Sequence, residues 1–166
     1  MGRWRPPSPK SSAYITRAGY DRLSAELKEL WTVRRPGVTQ ALKEAAAEGD
    51  RSENAEYIYR KKELREIDRR VRYLAKRMDE FKVIEHLPPD KSTVFFGAWV
   101  RLLDESDHEV EYRIVGADEI DPSLGYISID APLSKQLVKK TIGDEIELTT
   151  PDGRERWYEI TGIRYE

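Results

Sequence analysis

Cysteine is absent from the 166-residue chain. Disulfides, a thiolate nucleophile and zinc sites built on cysteine are therefore excluded. Histidine is almost absent: His86 and His108 stand alone, with no second ligand at metal spacing, so both read as surface or loop residues. Long apolar runs are missing too, and no stretch approaches the roughly 18 residues of a membrane span. There is no Gly-rich phosphate loop and no Ser, His and Asp set that spacing supports. Such a chain lacks the equipment of a self-sufficient enzyme. The opening MGRWRPPSPK is basic and Pro-rich but without the apolar core of a secretory signal. Residues 1–13 are expected to be a disordered leader and the protein to be cytoplasmic, with no membrane partner.

What is abundant is charge. The chain is 39% hydrophobic and 36% charged, a balance that favours long exposed helices, each burying only one stripe. The net charge of −2 hides a division: residues 1–82 hold 20 Lys and Arg against 13 Asp and Glu, whereas residues 83–166 hold 9 against 18. One half suits a polyanion and the other a basic or neutral surface.

The first half has helical periodicity. Thr16 can cap a helix in which Tyr20, Leu23, Leu27 and Leu30 recur at spacings of three and four. Pro36-Gly37 predicts a kink or short break, after which Val38, Leu42 and Ala45-Ala46-Ala47 carry helix to Gly49. In a second helix Tyr57, Leu64, Ile67, Val71, Leu74, Met78 and Phe81 make a heptad seam with Arg60 as a polar intruder. The pattern predicts an antiparallel α-helical coiled-coil hairpin over residues 14–85, a finger on the order of 45 Å long, with its turn near residues 49–54.

At that turn Asp50 and Glu53 lie three apart at a helix start. This spacing reads in two ways. It is a capping box, with Asp50 capping and Glu53 reaching back; it is also an exposed carboxylate pair suited to helping bind Mg²⁺, which takes a few carboxylate oxygens together with water and phosphate. Outward along the second helix run Lys62, Arg65, Arg69, Arg72 and Lys76, a line with no acid in it and suited to phosphates. Arg60, Lys61 and Arg70 are candidates to widen it.

Beyond a linker at residues 86–91, marked by His86-Leu87-Pro88-Pro89, the periodicity turns strand-like. Strands are expected in Val94–Val100, Tyr112–Val115, Tyr126–Ile129, Glu145–Thr149 and Arg154–Ile160, with one short helix from Pro132 to Lys140. Residues 92–166 thus read as a small domain with a curled antiparallel sheet, and the whole chain as a two-domain α+β protein.

The stretch GDRSENAEY at the turn, followed in order by KKELREIDRRVRYLAKRM, VFFGAWV, YRIVGADEI, YISIDAPLSKQLVKK and TPDG, resembles the Gre family of bacterial transcript-cleavage factors over about residues 14–165. The Arg-rich second helix and Arg51 are most similar to its GreB type. The resemblance implies a C-terminal domain similar in fold to FK506-binding proteins (FKBP-like). It implies that Asp50 and Glu53 are the catalytic acids, supported at the tip by Arg51, Ser52, Asn54 and Tyr57. The metal it implies is Mg²⁺ shared with the active site of bacterial RNA polymerase and not held by the isolated protein. By the same likeness the basic stripe holds the 3′ segment of nascent RNA. Asp130, Ala131 and Pro132 grip the largest-subunit coiled coil at the rim of the polymerase secondary channel. The family's usual triplet there is Asp-Ser-Pro, so Ala131 removes a hydroxyl and docking is expected to be weaker or rearranged. The resemblance implies an accessory factor that completes another enzyme's active site, and a monomer is expected. Three other readings stay open: a non-catalytic secondary-channel regulator, a zinc-containing regulator that the lack of cysteine disfavours, and a hairpin chaperone or prolyl isomerase.

Overall fold

The computed structural model describes residues 8–49 and 53–166. They form two units, one of Tyr20–Phe81 and one that joins the described residues up to Gly19 with Lys82–Glu166. The expected boundaries at residues 14, 85 and 92 therefore shift. Residues 14–19 and 82–91 belong with the sheet, because Tyr14–Thr16 (β1) pairs in parallel with Lys82–Ile84 (β2) and Ile15 is fully buried.

Helix α1 (Arg17–Glu29) starts where the sequence predicts. The Thr16 hydroxyl oxygen accepts the Gly19 amide at 3.1 Å, satisfying one of the unpaired donors of the first turn. Instead of breaking at Pro36, the chain passes through a wide π-turn (Leu30–Arg34) into α2 (Arg35–Ala47). Pro36 has no N–H to give and its ring crowds the preceding turn. Lengthening the spacing, so that the Arg35 amide reaches the Leu30 carbonyl, widens the helix there and lets it continue.

Helix α3 (Ala55–Glu80) has 26 residues, about 39 Å at 1.5 Å per residue. Its seam is as the heptads predict: Ile67 and Leu74 are buried, and Tyr57, Leu64, Val71, Met78 and Phe81 are half-buried. Against them lie Leu23, Leu30, Val38 and Ala45 of the first helical arm of the hairpin, all buried. Each such large side chain contributes about 1.5–3 kcal/mol. Arg60 is tolerated in the seam because Glu56 and Glu63 accept from its guanidinium at 2.8 and 3.0 Å. A second cation in the interior has no counterpart in the heptad reading: Arg77 is 6% exposed, bonded to Glu80 at 3.2 Å and stacked 4.9 Å from the Phe81 ring. Arg35 with Asp68 and Arg70 with Glu26 tie the two arms from outside, both at 2.8 Å.

The second unit is built on five strands in the order β5-β4-β3-β7-β6, comprising β3 (Trp99–Asp104), β4 (Glu109–Val115), β5 (Tyr126–Ser128), β6 (Glu145–Thr149) and β7 (Glu155–Arg164). The expected wholly antiparallel sheet is corrected to a mixed one, since β5 runs parallel to β4. The ten residues between β4 and β5, with a 3-10 turn at Pro122–Leu124 and Gly125 at φ 74°, carry the chain back before it pairs. The expected strand at Val94–Val100 starts only at Trp99. Before it, Gly97 takes φ 88° and the Ala98 amide closes a turn on the Phe95 carbonyl. That apolar run is explained by burial, with Val94 and Ala98 at 0% exposure beside Val100, Leu102, Ile114, Leu137, Ile146 and Ile160. The helix, α4 (Pro132–Leu137), is shorter than expected.

Glu119 is buried in the same unit. Its carboxylate accepts from the Thr16 amide (3.1 Å), the Thr16 hydroxyl and the Gly116 amide (2.8 Å). A Cβ at Gly116 would lie 2.2 Å from the Tyr14 carbonyl oxygen, so this approach is possible only for glycine.

Candidate functional site

The hairpin turn joins α2 to α3, and one residue organises its described part. Asn54 accepts the Tyr57 amide on its side-chain oxygen at 3.1 Å and gives its amide N–H to the Ala45 carbonyl at 2.6 Å. It thus caps the start of α3 and ties it with the same side chain to the end of α2, where the Ala45 carbonyl also accepts the Glu48 amide at 3.2 Å. The capping-box reading placed that duty on Asp50 and Glu53. The structure gives it to Asn54, one residue beyond Glu53, because only there does the backbone leave the extended region (φ −85°, ψ 99°) for helix.

Glu53 is released from that task. It is exposed, and among the described residues no hydrogen bond or ion pair engages its carboxylate. Asp50, Arg51 and Ser52 lie outside the described residues. Tyr57 sits half-buried in the seam, where it lines a groove with Thr39, Leu42, Lys43, Ala46 and Ala47, and the Lys61 ammonium lies 5.9 Å from its ring. Among the described residues no three His, Cys, Asp or Glu side chains gather as a metal site. Glu53 fits the part of a single ligand to an ion whose remaining ligands come from elsewhere.

The basic stripe is realised on α3. Lys62, Arg65, Arg69, Arg72 and Lys76 are all exposed, and among the described residues none of the five has an ion-pair partner. The reason lies in how the neighbouring acids are used. Glu26 is held by Arg70, Asp68 by Arg35, Glu56 by Arg60, and Glu63 by both Arg60 and Arg34. The Arg70 hydrogen bonds hold the Glu26 carboxyl below its ordinary value. Arg60 and Arg70 are therefore neutralised within the hairpin and do not widen the free stripe, whereas exposed Lys61 lies beside it. The stripe has aromatic neighbours that its charge pattern does not reveal: Tyr59, three positions before Lys62, is 60% exposed, and Tyr73, next to Arg72, is 43% exposed. Their signal was available, as aromatics off the seam of a coiled coil have no core to fill.

In the sheet unit, Asp130, Ala131 and Pro132 form the entry to α4. Ala131 occupies the cap position and has no side-chain acceptor to offer, and Pro132 starts the helix. Ser128 does the local work instead: its hydroxyl oxygen accepts the Asp130 amide at 3.0 Å, and its carbonyl accepts the Ser134 hydroxyl at 2.5 Å. Exposed Asp130 accepts the Ser12 amide at 2.8 Å. The leader is thus pinned at its end, Ala13 also accepting from the Lys82 amide at 2.9 Å; residues 1–7 lie outside the described residues. No helix among the described residues is long and apolar enough to cross a membrane.

Comparison with known proteins covers nearly the whole chain. Residues 13–83 match the family model described as "Transcription elongation factor, N-terminal", and residues 89–165 match "Transcription elongation factor, GreA/GreB, C-term". The protein named Transcription elongation factor GreB in Xanthomonas axonopodis pv. citri is 57% identical over 155 residues, 93% of this chain and 92% of that one. Its namesake in Pseudomonas aeruginosa is 54% identical over 165 residues, 99% of this chain and 98% of that one. A third, in Yersinia pestis, is 54% identical over 154 residues, 93% and 90% of the two chains.

Proposed function

The chain belongs to the GreA/GreB family of transcription elongation factors, and on that premise we propose that it stimulates RNA polymerase to cleave backtracked nascent RNA. The observation that carries the mechanism is Glu53: a carboxylate at the hairpin turn, exposed and among the described residues without a partner, beside a cap that Asn54 supplies. An exposed acid that no described residue engages is available to a ligand brought to it.

In this mechanism Asp50 and Glu53 are the residues that would hold Mg²⁺ together with groups of the polymerase. When bound, such an ion neutralises phosphate charge and makes water a better nucleophile. The hairpin itself positions. Asn54, the residue after Glu53, fixes the start of α3 against the end of α2. The stripe from Lys62 to Lys76 offers five cations to RNA phosphates, which sets register without reading sequence. The sheet unit, through Asp130, Ala131 and Pro132, is the part that docks on the polymerase. The factor completes an active site in the cytoplasm and owns none.

The test is a cleavage assay on stalled elongation complexes in Mg²⁺. Glu53→Gln and Asp50→Asn should each bind polymerase as the unaltered protein does and leave RNA cleavage at its unstimulated rate. Full stimulation by both variants would overturn the reading. Inhibition of synthesis without any cleavage by the unaltered protein would point instead to a regulator that merely obstructs the channel. Reversing Arg65, Arg69 and Arg72 to Glu should impair release of long fragments while sparing short ones.

A further inference from the structure

On the outer side of α3, Glu66, Arg69, Arg70 and Tyr73 enclose a shallow groove of about 410 Å³. The Tyr73 ring lines it and is 43% exposed. The Arg70 guanidinium lies 5.6 Å from the ring centroid and is itself fixed by a two-pronged bond to Glu26, at 2.8 and 3.0 Å. Tyr73 is thus held in place from the neighbouring arm of the hairpin through Arg70, and its orientation costs little further ordering on binding.

The groove adjoins the stripe, since Arg69 belongs to both and Arg72 precedes Tyr73. Its chemistry differs from the stripe's. Arg70 is neutralised and Glu66 adds a carboxylate to the lining, which disfavours a phosphate there. An aromatic ring with an arginine guanidinium beside it instead suits a flat, uncharged, polarisable group. A single strand offers phosphates and bases side by side, and sequence-tolerant binders combine a cationic track with aromatic platforms.

We infer that Tyr73, braced by Arg70 and Glu26, is a stacking seat for one base of the single-stranded RNA whose phosphates follow Lys62, Arg65, Arg69, Arg72 and Lys76. The inference rests on the stripe being an RNA track. It adds a contact that is indifferent to base identity, depends little on salt, and anchors the strand against sliding along the cations.

The experiment uses the full-length protein without polymerase, and fluorescently labelled RNA of about twelve nucleotides. A second oligomer of the same length keeps the sugar-phosphate chain but lacks bases. Binding is followed by anisotropy at several salt concentrations. The unaltered protein should bind the complete RNA at least about fivefold tighter than the abasic strand. Tyr73→Ala should lose that advantage, match the unaltered protein on the abasic strand and keep its salt slope; Tyr73→Phe should retain the advantage. Arg69→Gln should flatten the salt slope by about 0.7, one phosphate of a single strand. Equal binding of complete RNA by Tyr73→Ala and the unaltered protein, or an equal loss on both strands, would overturn the stacking seat. Failure of the unaltered protein to bind either strand would remove the track as well, and would leave the proposal about Glu53 untouched. Circular dichroism guards against loss of helix, which alanine at an exposed helical position does not cause.

Discussion

Glu53 at the hairpin turn and Glu119 in the sheet unit are both glutamates in short connecting segments, and the fold treats them in opposite ways. Glu119 is 2% exposed and satisfies three donors from Thr16 and Gly116. Glu53 is exposed and among the described residues satisfies none. A buried carboxylate persists only if its oxygens are bonded, so Glu119 is wholly committed to structure. A carboxylate in water needs no such support, and the neighbouring Asn54 supplies the cap of α3. The same contrast divides the cations of α3. Arg60 and Arg70 are bound to acids, while the five residues of the stripe are left to the solvent. Among the described residues, Glu53 and the five cations of the stripe are thus the charges left open to a partner, which is what the proposed function asks of them.

That contrast can be broken first at Glu119. Glu119→Ala strands three buried donors and should cost on the order of 3 kcal/mol or more in denaturant unfolding. Gly116→Ala should be comparably damaging, because its methyl would meet a backbone oxygen that has no room to retreat. A loss under about 1 kcal/mol in both would show that the junction is not held as described.

Asn54→Ala should cost about 1–2 kcal/mol of hairpin stability. Asn54→Ser keeps an oxygen to cap the Tyr57 amide and loses the bond to the Ala45 carbonyl, so its effect should be smaller. If Asn54→Ser were as costly as Asn54→Ala, the bond across the turn would matter more than the cap.

The Glu26–Arg70 pair is a weaker contributor, being partly exposed. Its hydrogen bonds hold the Glu26 carboxyl below its ordinary value of 4.5. The folded form therefore gains stability from the pair at pH above that value and loses it as the pH falls through the lowered one. The stability difference between Glu26→Gln and the unaltered protein should be largest near neutrality and shrink in acid. A difference that grew in acid would contradict the assignment.

Smallest of all in stability is Glu53→Gln, expected within about 0.5 kcal/mol of the unaltered protein. The same substitution should remove stimulated cleavage. A glutamate whose replacement destabilised the hairpin would belong with Glu119, and the contrast would collapse.

Much of this was written locally in the chain. The seam residues Leu64, Ile67, Val71 and Leu74, the cap at Thr16 and the outward line of cations follow from spacings of three and four, because a helix converts such spacings directly into faces. The same spacings put the hairpin's turn near residues 49–54, but they left a helix cap and a metal-binding pair of acids both open there, and only the resemblance to the Gre family chose between them. What local spacing could not supply was every pairing between distant segments. Glu119 meets Thr16 across 103 residues, β1 finds β2 in parallel, and β5 returns parallel to β4. None leaves a periodic trace. Nor could the sequence say which cations of α3 are free, since that depends on where Glu26, Glu63 and Asp68 come to lie once the arms are packed. Periodicity assigns a residue to a face. Only packing decides whether the charge on that face is already taken.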